Sequence, residues 1–81
     1  MKIAHVNKLD KNNSMKFHIN YLAEDKRLEL GSEVFASVDN GYHGFVAKID
    51  SIGESTLILG NSVYPIDFVS IEYTCKYVNE E

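Results

Sequence analysis

The chain has 81 residues, 44% of them apolar and 25% charged, with nine Phe and Tyr side chains, no Trp and one Pro. That is enough apolar material for the core of one small domain, and too much for a disordered chain. A single cysteine excludes an internal disulfide and suits a reducing, cytoplasmic setting. No apolar run approaches the roughly 20 residues that span a bilayer, and Met1 to Asn13 has no signal-peptide apolar stretch, so no membrane association is expected.

The net charge of -4 is unevenly spread. Residues 1 to 27 hold six basic and three acidic groups, whereas residues 28 to 81 hold only Lys48 and Lys76 against nine acids. An acidic carboxyl half suits a basic protein partner and disfavours phosphate binding by that half, since nucleic-acid affinity rests mainly on Lys and Arg.

Met1 to Val6 reads as a short strand, and residues 1 to 14 as a flexible or edge-strand arm ahead of a β-barrel over 15 to 78, the whole being one domain. NKLDKNNS (7 to 14) is a loop of residues that compete for backbone hydrogen bonds. Met15 to Leu22 alternates, with Met15, Phe17, Ile19 and Tyr21 on one face. Ala23 to Leu30 holds the best helix formers, which predicts one or two helical turns stopped at Gly31. Glu33 to Val38 resumes alternation, and Asn40-Gly41 predicts a hairpin to a strand over 42 to 50, with Phe45, Ala47 and Ile49 inward.

Ser51-Ile52-Gly53-Glu54 reads as the next turn, leading to a strand over 55 to 59. Gly60-Asn61-Ser62 reads as a tight hairpin in which Gly60 supplies positive φ, followed by a short Val63-Tyr64 strand stopped by Pro65. Gly44 and Gly53 are placed where strands bend. Val69, Ile71, Tyr73, Cys75 and Tyr77 share a face of the final strand. These elements predict an all-β, five- to six-stranded antiparallel barrel whose inward face includes Phe45, Ile49, Ile58, Val69 and Ile71.

From Leu30 onward the order LELGSEVFASV, turn, GFVAKID, turn, TLILG, VYPI, turn, VSIEYT resembles an SH3-like or Sm-like small barrel. The stretch GFVAKIDSIGESTLILGNSVYPIDFVSIE also resembles the carboxyl-terminal part of the YolD-like family, through Lys48-Ile49-Asp50, Thr56 to Leu59, Tyr64-Pro65-Ile66-Asp67 and Val69-Ser70-Ile71-Glu72. That resemblance covers about a third of the chain and implies a bacterial or phage accessory protein that acts by binding, connected with DNA repair.

No catalytic, cofactor or metal motif emerges. His5, His18, His43 and Cys75 are not at ligand spacing, and Cys75 falls on the apolar face as a core thiol. Asp50, Glu54, Asp67 and Glu72 fall in turns or on polar faces. The expected function is therefore a non-enzymatic, regulatory binding module. It meets a protein partner through an acidic, Tyr-bearing surface that includes Tyr42, His43, Tyr64 and Asp67. The alternative is nucleic-acid binding through the basic arm, Lys2, Lys8, Lys11 and Lys16, with aromatic stacking on the barrel.

Overall fold

The computed structural model describes residues 1–79. It contains β1 (Lys2–His5), β2 (Met15–Tyr21), β3 (Glu33–Ser37), β4 (Gly44–Ile58) and β5 (Phe68–Tyr77), with no helix among the described residues. One sheet takes the order β1-β3-β4-β5-β2, and its end strands β1 and β2 approach each other, so the sheet is nearly closed like a barrel. The β3–β4, β4–β5 and β2–β5 ladders are antiparallel. β1 departs from the antiparallel expectation: it lies parallel to β3, Ala4 beside Ala36. A parallel neighbour requires a crossover, and residues 6 to 32, including β2, supply it.

All five strands feed one interior. Phe17 and Ile19 from β2, Val34 and Ala36 from β3, Ala47 and Ile49 from β4, and Ile71, Tyr73 and Cys75 from β5 meet Ala4 of β1 there. Strict alternation produces this: β2 is buried at every second residue from Met15 to Tyr21 and exposed between. Phe17 stacks on Tyr73 at 5.4 Å, and Phe45 meets Tyr77 edge-on at 4.9 Å at the margin of the core.

Residues 23 to 30 form turns and irregular chain, not the expected helix. Their backbone groups find partners within local turns and on β2. The Leu22 N–H donates to Asp25 Oδ2 at 2.8 Å and the Asp25 N–H returns to the Leu22 carbonyl. Farther on, the Leu28 N–H donates to Tyr21 Oη at 3.1 Å while Leu28 packs on the core. Gly31, at φ 84°, donates its N–H to the Ile49 carbonyl, and the Ile49 N–H donates to Ser32. Eight residues are too few to hold a helix without tertiary support, and here the contacts of Leu28 and Gly31 hold an irregular path instead.

The expected turn at 51 to 54 is also absent: β4 runs through it as one 15-residue strand. Two register shifts against β5, at Ile49/Ser51 and Ile52/Ser55, take up the extra residues as bulges. Gly53 lies in the second, where a Cβ would stand 3.3 Å from the Glu72 carbonyl oxygen. The first is pinned by polar side chains. Ser51 Oγ lies 2.5 Å from Thr74 Oγ1, which donates to Asp50 Oδ1 at 2.6 Å, and Ser14 donates to the other Asp50 oxygen. The hydrogen bond from Thr74 holds the Asp50 carboxyl below its usual range.

Val63-Tyr64 is not a strand but part of the 59 to 67 connection between β4 and β5, and Gly60 does not take positive φ. Glycine is required there for space, because a Cβ would come within 2.7 Å of the Pro65 carbonyl carbon. The Asn40-Gly41 hairpin forms as expected, with φ of 60° and 97°. Gly44 opens β4 where a Cβ would sit 1.9 Å from the Ala36 oxygen.

Tyr21 and Tyr73 carry the one polar contact inside the core, Oη to Oη at 2.9 Å, and Tyr73 Oη also faces the Leu28 carbonyl at 3.4 Å. Burial, aided by the Tyr21 hydroxyl, pushes the Tyr73 phenol upward. Tyr21→Phe leaves the Leu28 N–H and the Tyr73 hydroxyl without this partner. The expected cost is about 1–3 kcal/mol in urea unfolding, with faster amide exchange at Leu28 than in the wild type.

Candidate functional site

Among the described residues, β4 is paired with both neighbours only at Ala47 and Lys48. Its ladder with β3 ends at Lys48, and from Asp50 to Leu59 every residue is exposed. The outer part of β4 and the start of β5 form a hairpin whose β5 arm is paired to β2 from Val69 onward, while among the described residues no strand lies on the other side of outer β4; the molecule measures 49 × 24 × 19 Å. Ile58, expected in the core, lies on this hairpin and is 40% exposed.

The connection at its tip is locally ordered. Asn61 Oδ1 accepts the N–H groups of Val63 and Tyr64, each at 2.8 Å, and the Asn61 N–H donates to the Tyr64 carbonyl at 2.7 Å. Asp67 Oδ1 accepts the Gly60 N–H at 2.6 Å. With the backbone so occupied, Val63, Tyr64 (71% exposed) and Ile66 (60% exposed) turn to solvent.

Tyr64, Pro65, Ile66 and Phe68 face Tyr21 and Leu22 at the end of β2 across an apolar groove of about 290 Å³. Beside it, a hollow that shares Leu22 and Ile66 is edged by Glu24, Asp25 and Asp67. Lys26 and Arg27 belong to the same loop, but the Arg27 guanidinium lies over the Tyr21 ring, 5.8 Å from its centroid. An apolar groove bordered by carboxylates, contiguous with further exposed apolar side chains, is the signature of an interaction surface.

The four residues expected to share one binding surface divide between two places. Tyr64 and Asp67 belong to the groove end. Tyr42 (84% exposed) and His43 lie in the β3–β4 turn, at the other end of β4, roughly 45 Å away by the rise of a 15-residue strand. That turn is a polar clasp. His43 Nδ1 meets Asp39 Oδ2 at 2.5 Å, the His43 N–H donates to Asp39 Oδ1, and the buried Ser37 Oγ accepts the Gly41 N–H at 2.8 Å. Ser37, Asp39 and His43 do not form a nucleophilic triad: the Ser37 hydroxyl points to Asp39 and the His43 carbonyl, not to the imidazole.

The basic arm is likewise structured. Lys2 lies in β1, Lys11 sits 4.8 Å from the Tyr77 ring centroid, and Lys16 pairs with Glu72 at 3.7 Å, beside a 3.7 Å contact from His18. Lys8 and Lys16 border a separate hollow that also carries Asp10. Cys75 is fully buried, and burial pushes its thiol up to about 11, as suits a core thiol. Among the described residues no group of three or more His, Cys, Asp and Glu is placed to hold a metal ion, and no helix is long and apolar enough to cross a membrane.

Leu22, Ile66 and Phe68 were not among the residues expected at a surface site: Leu22 ends the alternating run from Met15, and Ile66 and Phe68 flank Asp67 just after Pro65. A sequence signal for the hairpin tip, Ile66 included, is the lack of any charged residue between Glu54 and Asp67 in a chain that is one-quarter charged. Comparison with protein families, with curated proteins and with solved structures gives no match.

The His43 hydrogen bonds lower the Asp39 pKa from 3.8 to about 2. A carboxylate depressed by folding stabilises the native state above its unfolded pKa, and that stability is lost as pH falls through the folded value. Asp39→Asn is therefore less stable than the wild type at neutral pH, and the gap narrows between about pH 4 and pH 2 in urea melts.

Proposed function

We propose that this protein is a small non-enzymatic binding module, regulatory or accessory in role, that engages a protein partner at the apolar groove between the β2 end and the hairpin tip. The supporting observation is the groove itself, apolar on both walls and edged by Glu24, Asp25 and Asp67. Its volume suits one or two large apolar side chains. The partner segment therefore combines an apolar anchor, aromatic or aliphatic, with Lys or Arg positioned for the carboxylates. Apolar burial supplies most of the affinity, and the rim charges speed encounter and select the partner.

Selection from a random peptide library on the immobilised protein tests this reading. The expected consensus is an apolar residue flanked by basic ones, with binding weakened at least about tenfold by Tyr64→Ser with Ile66→Ser. Asp67→Asn and Asp25→Asn should instead slow association and flatten its salt dependence. Peptides without basic enrichment, or binding indifferent to Tyr64 and Ile66, would sink the proposal.

A further inference from the structure

The groove uses one side of the hairpin, and the opposite side is a free sheet edge. At Ile49 the backbone N–H and C=O point away from β5 and are met by Ser32 and Gly31. Following the ladder outward through the two bulges, the same orientation falls on Ile52, Ser55 and Leu57, where β3 no longer reaches. The edge carries exposed Ile52, Leu57 (63%), Ile58 and Leu59 (67%). Charged side chains, proline or coverage by another element ordinarily blunt such an edge. This one lacks all three from Ser55 to Leu59.

We infer that the outer edge of β4 pairs antiparallel with the same edge of a second copy of this chain, about a two-fold axis at Leu57. Backbone groups in a row call for an extended strand, and the neutrality of this stretch favours a copy of itself over a charged partner. With Leu57 opposite Leu57 of the second copy, Ser55 faces Leu59 and Thr56 faces Ile58, so outward backbone groups meet outward backbone groups. Glu54, the one charge between Ser51 and Ile66, then faces Gly60. The two Glu54 residues stand roughly 20 Å apart along the strands, well beyond the ~8 Å screening length at physiological salt. Registers centred nearer Glu54 would draw the Gly53 bulge and both carboxylates into the ladder.

The result is a continuous sheet β5-β4-β4-β5 across the axis, whose groove walls, drawn from β2, the hairpin tip and β5, remain free in both copies. Five paired residues make a small interface, so the dimer is weak, with a dissociation constant on the order of 10 µM.

Sedimentation equilibrium of the full chain from about 1 to 500 µM should show this dimer. Leu57→Lys and Leu57→Glu each place like charges at the axis and should weaken it more than about tenfold while circular dichroism stays native. Mixing the two variants should restore a one-to-one heterodimer, because only this register sets residue 57 against itself. A chain monomeric at 500 µM, a dimer untouched by either substitution, or a mixture that stays monomeric would each overturn the inference.

Discussion

The structure depends on how unevenly β4 is accompanied. Ala47 and Lys48 lie in ladders with both β3 and β5, and Ala47 and Ile49 enter the interior, whereas from Asp50 onward β5 alone lies beside the strand. A strand flanked on both sides by neighbours and covered by a core is rigid and buried. The same strand carried past its neighbour exposes both side chains and backbone groups. The two bulges allow one chain segment to do both, by bending and twisting the ladder between Ile49 and Ser55 without breaking it.

The division also sorts the chemistry. Inside the barrel, polar groups are few and paired: the Tyr21 and Tyr73 hydroxyls serve each other and the Leu28 backbone, and Ser37 is occupied by the β3–β4 turn. Outside it, Glu24, Asp25 and Asp67 edge one end and Asp39 lies at the other, while the chain from Ser55 to Ile66 carries no charge. Exposing Leu57, Leu59, Tyr64 and Ile66 contributes nothing to the stability of an isolated chain, so such a patch is best explained by something that covers it. The groove and the free edge lie on opposite sides of the same hairpin.

Much of the barrel was legible in the sequence, because alternation in β2, β3 and β5 decides which side chains face inward regardless of where each strand lies. Met15, Phe17, Ile19, Val34, Ala36, Ile71, Tyr73 and Cys75 all occupy the interior as the pattern requires. The Asn40-Gly41 hairpin was legible for a different reason, since its residues adopt positive φ at little cost. The candidate surface was only half legible. Tyr64 and Asp67 were recognised as exposed polar or aromatic groups, but their separation from Tyr42 and His43 depends on β4 running unbroken between them.

By itself, then, the amino-acid order determined that this is an all-β domain, which faces of its strands are apolar, and that its single thiol is a core group. Tertiary contacts decided the rest: the irregular path of residues 23 to 30, the parallel placing of β1, the passage of β4 through Gly53, and the exposure of Ile58. The reason is physical. Alternation reports the side a residue faces within its own strand, but burial requires another element on that side, and where β3 ends no periodicity in β4 records it.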